Sequence, residues 1–222
     1  MTQRLGANEF SHNDLPDWRW LIAGLQAAFH CGSYLAAGAF AARITEAADR
    51  LGHYPQIDVR APDLVQVTTT SADAHGVTQP DVELASVVSD LAAAAGHRPA
   101  PQALARLEIA IDSADIAAIR PFWRAVLGYA DQPQRDGAVD VVHPSGLGPA
   151  IWFQQSEPRA GRNRIHMDVY VPVELAQQRV ADTVAAGGTL VTDRFAPSWW
   201  VLADADGNEA CVCTWNDPPD GS

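Results

Sequence analysis

A chain of 222 residues is long enough for one large domain or two small ones, and 47% hydrophobic with 19% charged content is the balance of a globular chain with a real core. A formal net charge of -12 and a pI of about 4.8 make a surface that repels phosphate backbones and anionic lipid, so neither nucleic acid nor membrane is an expected partner. No run approaches the ~18 apolar residues that span a bilayer, and Met1-Thr2-Gln3-Arg4 leads into polar sequence with no apolar signal core, so a cytoplasmic location is expected.

Residues 1–17 read as polar loop, with Pro16 as a breaker. From Trp18 to Cys31 the pattern, carrying Leu25 and Phe29, predicts strands. Ser33 is placed to cap a helix over Tyr34–Leu51, whose Phe40, Ile44, Ala47 and Leu51 share one face. Gly52 is a natural stop for that helix, because glycine adopts the left-handed conformation that closes it. The punctuation Gly52-His53-Tyr54-Pro55 then puts an imidazole, a phenol and a rigid proline at an element boundary, where sites are often built. Strands are predicted over 56–60 and 64–70, joined by the turn Ala61-Pro62-Asp63. A loop over 71–76 precedes Thr78, which reads as the N-cap of a helix over 79–95, with Asp81 in its first turn. The run AAAAGHRPAPQALA over 92–105 changes composition, and its prolines discourage regular structure, so a domain boundary is expected there, with domains 1–97 and 98–222.

The second half carries a weak internal repeat. The strand Leu107–Ile111 is followed after Asp115 by a helix to Leu127 and then Gly128, while the strand Ile165–Tyr170 is followed by a helix over 174–186 and Gly187-Gly188. Short strand-like runs follow each helix, at 138–142 and 149–154, then 189–192 and 199–203, before a last strand over 210–215. The expected fold class is α+β: an N-terminal antiparallel sheet packed by helices, then paired βαβββ units with strands curling around a cavity. The three cysteines, Cys31, Cys211 and Cys213, are too few and odd in number for a disulfide framework and read as reduced thiols.

Two resemblances add to this. Trp18, Leu25 and Phe29, the helix end Ala47-Ala48-Asp49-Arg50-Leu51-Gly52-His53-Tyr54-Pro55, and Gly76-Val77-Thr78-Gln79-Pro80-Asp81-Val82-Glu83-Leu84-Ala85 lie in order at the spacing of the pterin-4a-carbinolamine dehydratases. Residues 15–95 resemble that family through its motifs A-E-x-x-x-H-H-P and G-L-[ST]-x-x-D-x-x-L-A. The departures are Tyr54, where the family has a second histidine, and Ala72, where it has a further one; His75 follows in the same loop. Over residues 105–216, Phe122-Trp123-Arg124-Ala125-Val126-Leu127-Gly128-Tyr129 and Asp204-Ala205-Asp206-Gly207-Asn208 resemble the vicinal-oxygen-chelate superfamily of glyoxalase and bleomycin-resistance proteins.

The first resemblance implies dehydration of a 4a-hydroxytetrahydropterin, with a pterin as the small-molecule substrate; the alternative is a degenerate dehydratase fold kept as a dimerisation or docking module beside a non-enzymatic C-terminal binder of a planar small molecule. His53 is the expected acid–base group, since a histidine titrating near ~6.5 both gives and takes a proton at neutral pH. Its alternative role is a helix-terminal residue favoured by the dipole. Asp81 is expected either to orient a catalytic histidine or simply to suit a helix first turn. His75 is either the substitute imidazole or an inert loop residue. Trp18 and Tyr54 are candidates to contact the pterin or to pack, Pro55 shapes the same turn, and Asp73 binds substrate or solvates its loop.

The second resemblance puts metal ligands at Glu108, His166, Gln154 or Gln155, and Cys211, a chemically mixed set, so no cofactor is expected and a metal-free pocket is favoured over a divalent-ion site. Of seven tryptophans five lie in this half, and Trp123, Trp152, Trp199 and Trp200 read as the wall of a pocket for a planar ligand or as core. Arg162-Asn163-Arg164 is a candidate anion anchor or a solvated loop. Self-association into a homo-oligomer through strand edges is expected by analogy.

Overall fold

The computed structural model describes residues 3–10, 13–22, 24–134, 137–158 and 166–214. The chain divides into two compact units, Met1–Arg106 and Leu107–Ser222.

The first unit begins with a short helix, α1 (Ala7–Phe10), preceded by a bridge between Arg4 and Thr78. Strands β1 (Arg19–Leu21) and β2 (Gly24–His30) lead into helix α2 (Tyr34–Leu51). Strands β3 (Gln56–Arg60) and β4 (Leu64–Thr69), helix α3 (Gln79–Ala94) and the two-residue strand β5 (Arg98–Pro99) complete it. The sheet runs β1-β2-β4-β3, antiparallel throughout, with β5 on the far end of β2. Ser33 caps α2 by accepting a hydrogen bond from the Ala36 N–H at 3.1 Å. Gly52, at φ +64°, ends it in the left-handed conformation. Alternation along the strands sends Leu25, Ala27 and Phe29 of β2 and Val65 and Val67 of β4 into one buried cluster with Phe40 and Ile44 of α2 and Leu84 and Val88 of α3.

Regular structure extends further than the prolines of 92–105 suggest. The Ala100 N–H donates to the Ala28 carbonyl at 2.7 Å, so the strand edge absorbs a proline-containing segment whose lost N–H is not needed there. This pairing draws residues 98–106 into the first unit and puts the division at Arg106/Leu107 rather than at 97/98.

The second unit is two copies of one motif. Strand β6 (Glu108–Ser113), helix α4 (Ile116–Leu127) and strands β7 (Ala130–Pro133), β8 (Val139–Val142) and β9 (Ala150–Gln155) form a sheet in the order β6-β9-β8-β7. Strand β10 (Met167–Tyr170), helix α5 (Val173–Ala185) and strands β11 (Thr189–Thr192), β12 (Trp199–Ala203) and β13 (Glu209–Cys213) form a second sheet in the order β10-β13-β12-β11. In each the first and last strands pair in parallel and the rest antiparallel. Strand β7 went unpredicted because Ala-Asp-Gln-Pro is polar and ends in proline; it forms as a ladder on β8, with Pro133 at its terminus. On α4, Ile119, Phe122, Trp123 and Val126 follow helical spacing and are all buried. Among the described residues no helix is long and apolar enough to cross a membrane.

Candidate functional site

The closure of α2 sets His53. With Gly52 turned left-handed, the His53 N–H returns to the Ala48 carbonyl at 3.1 Å, which fixes the backbone from which the imidazole projects. Its Nε2 lies 2.7 Å from Asp81 Oδ1. The His53 side chain keeps 16% of its exposure, whereas Asp81 is fully buried. Asp81 comes from the first turn of α3, where its Oδ2 accepts the N–H of Thr78 at 2.8 Å, half of a capping arrangement.

A carboxylate buried this completely needs its lone pairs filled. Thr69 Oγ1 donates to Oδ1 at 2.6 Å and Ser71 Oγ to Oδ2 at 2.8 Å, and Thr78 Oγ1 lies 3.0 Å from Oδ2. The Ser71 and Thr78 hydroxyls are 2.6 Å apart, so one of their two protons lies between them and the other goes to the carboxylate. Burial pushes the Asp81 carboxyl up, but the hydrogen bonds from Thr69, His53, the Thr78 N–H and Ser71 outweigh it and hold Asp81 below the usual carboxylate range. The arrangement is an ionised aspartate gripping an imidazole, suited to hold a histidine in one orientation and to stabilise its charged form.

The remaining candidates of this unit are placed differently. Tyr54 is 69% exposed and Pro55 half-buried on the turn beside His53. Ala72, Asp73 and His75 are exposed on the loop between β4 and α3, and His75 sits at φ +46°. Among the described residues no hydrogen bond or ion pair joins the His75 ring to His53 or Asp81. Trp18 is buried in the core with its indole N–H on Ser89 Oγ at 3.1 Å, which leaves it no face for a ligand ring.

Sequence reasoning passed over Thr69 and Ser71. The available signal was a hydroxyl in step with Val65 and Val67, extending the buried row of β4 toward the first turn of α3. It also passed over a second pair, His30 Nδ1 with Asp63 Oδ1 at 3.0 Å. There Asp63 Oδ2 accepts the Gly32 N–H at 3.0 Å, and the Asp63 carbonyl accepts the Cys31 N–H at 2.9 Å. The His30 hydrogen bond, then the Gly32 one, hold the Asp63 carboxyl below its ordinary range. This pair ties the β3–β4 turn to the start of α2.

In the second unit the aromatic candidates separate. Trp123 is buried with its indole N–H on Asp204 Oδ2 at 3.0 Å, and Trp200 is buried in the core. Trp199 is half-buried and stacked on Phe195, with ring centroids 4.5 Å apart. Only Trp152 of the four is exposed, because it alternates with the buried Ile151 and Phe153 along β9. The Asp204–Asn208 turn is a clamp: Asp204 also accepts from the N–H groups of Asp206 and Asn208 and from Asn208 Nδ2, and Asp206 Oδ2 accepts from Ser113 Oγ at 2.6 Å.

His166 and Cys211 do meet, but with Asp168 as the third donor: one donor atom from each lies within 4.8 Å of the others. Asp168 pairs with Cys211 across β10 and β13, while Glu108 and Gln154–Gln155 belong to the other sheet. Burial, then the neighbouring Asp168, pushes the Cys211 thiol up to about 12. Cys31, Cys211 and Cys213 are free thiols. Arg162-Asn163-Arg164 lies outside the described residues.

These two units have counterparts among known proteins. The family model described as Pterin 4 alpha carbinolamine dehydratase matches residues 3–91, and that of the Glyoxalase-like domain matches residues 108–213. Three proteins named "Putative pterin-4-alpha-carbinolamine dehydratase" are similar to the first unit. That of Thermosynechococcus vestitus is 34% identical over 79 residues, 36% of this chain and 82% of its own. That of Nocardia farcinica is 38% identical, also over 36% of this chain and 82% of its own. That of Trichormus variabilis is 32% identical over 93 residues, 41% of this chain and 99% of its own. Among solved structures, a transcriptional coactivator/pterin dehydratase from Brucella melitensis is 24% identical over 40% of this chain and 99% of its own, with a TM-score of 0.38. A glyoxalase/bleomycin resistance protein/dioxygenase family enzyme from Burkholderia phytofirmans is 20% identical over 48% and 95%, with a TM-score of 0.39. The chain is thus a two-unit α+β protein with a part-buried His–Asp pair in its first unit. It belongs to the pterin-4-alpha-carbinolamine dehydratase family, and its second unit is a glyoxalase-like domain.

Proposed function

We propose that the first unit dehydrates a 4a-hydroxytetrahydropterin to the quinonoid dihydropterin, with His53 as the acid–base group. The observation that carries this reading is the short bond from His53 to a buried, ionised Asp81. In the reaction the C4a–O bond breaks, the oxygen takes up a proton and leaves as water, and the adjacent ring nitrogen gives up its proton. No oxidant or reductant is required. One imidazole cycling between its two charge states serves both transfers, which accommodates Tyr54 and Ala72 at the positions where the family carries further histidines. Tyr54 and Pro55, beside His53, are the nearest candidates in sequence for substrate contact, and His75 and Asp73 supply the loop opposite them in the motif.

The test is the dehydration rate of enzymatically generated 4a-hydroxytetrahydropterin, followed by absorbance. Wild-type protein accelerates it and His53→Ala returns it to the spontaneous rate. Wild-type protein that leaves the spontaneous rate unchanged overturns the proposal.

For the second unit we propose binding of a small planar molecule without a resident metal. The exposed Trp152 supports the ligand class; His166, Asp168 and Cys211 are the residues that would hold an ion if one binds. Elemental analysis of purified protein is expected to find no stoichiometric metal, and one equivalent of zinc would overturn that part.

A further inference from the structure

The contacts around His53 assign more than a partnership with Asp81. We infer that Thr69 is a positioning residue that holds His53 with its Nε2–H directed at Asp81, leaving Nδ1 as the atom that exchanges protons with the substrate. The inference rests on the reading of His53 as the acid–base group and specifies how that group is held.

Thr69 Oγ1 lies 2.6 Å from Asp81 Oδ1 and 3.2 Å from His53 Nε2, and His53 Nε2 lies 2.7 Å from the same Oδ1. Three polar atoms therefore form a small triangle around one carboxylate oxygen. A hydroxyl has a single hydrogen and an ionised carboxylate has none. If Thr69 gave its hydrogen to an unprotonated Nε2, Oδ1 would face two bare lone pairs at 2.6 and 2.7 Å. Such contacts are heavily disfavoured where water cannot intervene, and Thr69 and Asp81 are both fully buried. Only one arrangement puts a hydrogen in both short contacts. The Thr69 hydroxyl donates to Oδ1, Nε2–H donates to Oδ1, and a Thr69 lone pair faces the imidazole N–H.

Nε2 is then protonated whether the ring is neutral or charged. The proton that comes and goes is on Nδ1, which among the described residues has no hydrogen-bond partner. Ser71 and Thr78 do not share this role, since both act on Oδ2. Thr69 also keeps the acceptor an acceptor, because its hydrogen bond opposes the burial that would otherwise favour protonating Asp81.

The experiment compares wild type, Thr69→Val and Thr69→Ser by steady-state kinetics across pH and by ¹⁵N NMR of imidazole-labelled protein. The wild-type spectrum is expected to show neutral His53 protonated at Nε2 and unprotonated at Nδ1. Thr69→Val keeps the shape and removes the hydroxyl. Its kcat is expected to fall about ten-fold with KM unchanged, the size of one lost hydrogen bond to a charged group. The acid limb of its pH–rate profile moves to higher pH, because Asp81 with one donor fewer protonates more readily. Thr69→Ser restores both. A Thr69→Val protein with wild-type kcat and an unmoved acid limb overturns the role of Thr69, and a neutral His53 carrying its proton on Nδ1 overturns the assignment. If His53→Ala leaves the wild-type rate unchanged, the reading of His53 as the acid–base group fails. The ¹⁵N spectrum and a ¹³C-carboxyl titration of Asp81 in Thr69→Val then still decide the inference. Should Thr69→Val not fold, Thr69→Ala takes its place in the same measurements.

Discussion

Asp81 in the first unit and Asp204 in the second are both buried aspartates filled with donors, and they differ in whether one of those donors can change charge. Asp204 takes backbone N–H groups, an amide and the Trp123 indole, all groups that never change charge at neutral pH. It fastens the β12–β13 turn to α4. Asp81 takes three hydroxyl-bearing neighbours and a backbone N–H on similar terms, but one of its donors is an imidazole that keeps 16% of its exposure. A fixed acceptor paired with one titratable, reachable donor is the minimum needed for directed proton transfer. A third pair shows the other limit. His166 and Asp168 are 3.5 Å apart with 49% and 47% of their side chains exposed, so solvent competes with the contact.

Breaking the Asp81 side of this comparison carries the largest expected effect. Asp81→Asn keeps the volume but replaces a pure acceptor by an amide; kcat for pterin dehydration falls by about 10²-fold, within the range of positioned acid–base catalysis, in stopped-flow turnover. An unchanged kcat would place Asp81 with Asp204 as architecture. The converse variant, Asp204→Ala, leaves the Trp123 indole and the Asn208 amide without their buried acceptor. It lowers the unfolding free energy of the second unit by about 3 kcal/mol in urea, with dehydration kcat untouched.

Smaller, and specific in sign, is the acid response. Asp81 is held below the ordinary aspartate range by its hydrogen bonds, so its contribution to stability is present above that range and is lost as pH falls through the lower folded-state value. Acid titration of the first unit's unfolding should therefore show a loss of stability below about pH 4, reduced in Asp81→Asn. The smallest effect is expected from His166→Ala, whose thermal unfolding should stay within about 0.5 kcal/mol of wild type.

Local rules carried much of the fold. Ser33 and Gly52 bracket α2 because a side-chain acceptor and a residue without Cβ suit the two ends of a helix, and both are visible without neighbours. The doubled order of strand, helix and strands in the second half is likewise written in local pattern. Short elements were less legible: β7 and β5 each contain a proline and exist because a partner strand offers an edge.

The site divides along the same line. His53, and Asp81 three residues after a helix cap, stand out in the sequence as an imidazole at one helix end and an acid at the start of another. Their distance of 2.7 Å does not, since they stand 28 positions apart in the chain with two strands between them. Trp18, Trp123 and Trp200 show the same gap in reverse. An aromatic ring is equally suited to core and to ligand, and only packing committed these three to the core.

What the sequence determined by itself is the inventory: two α+β units, a helix-terminal histidine, a first-turn aspartate, and a repeat ending in a tight acidic turn. What the tertiary structure decided is which groups share a hydrogen. Thr69 sits in a β-branched run where it reads as ordinary strand, yet strand register delivers its hydroxyl to the oxygen that His53 also uses. Hydrogen bonds act over about 3 Å, so the role of such a residue is set by which chain segments meet there, a property of the folded chain rather than of local sequence pattern.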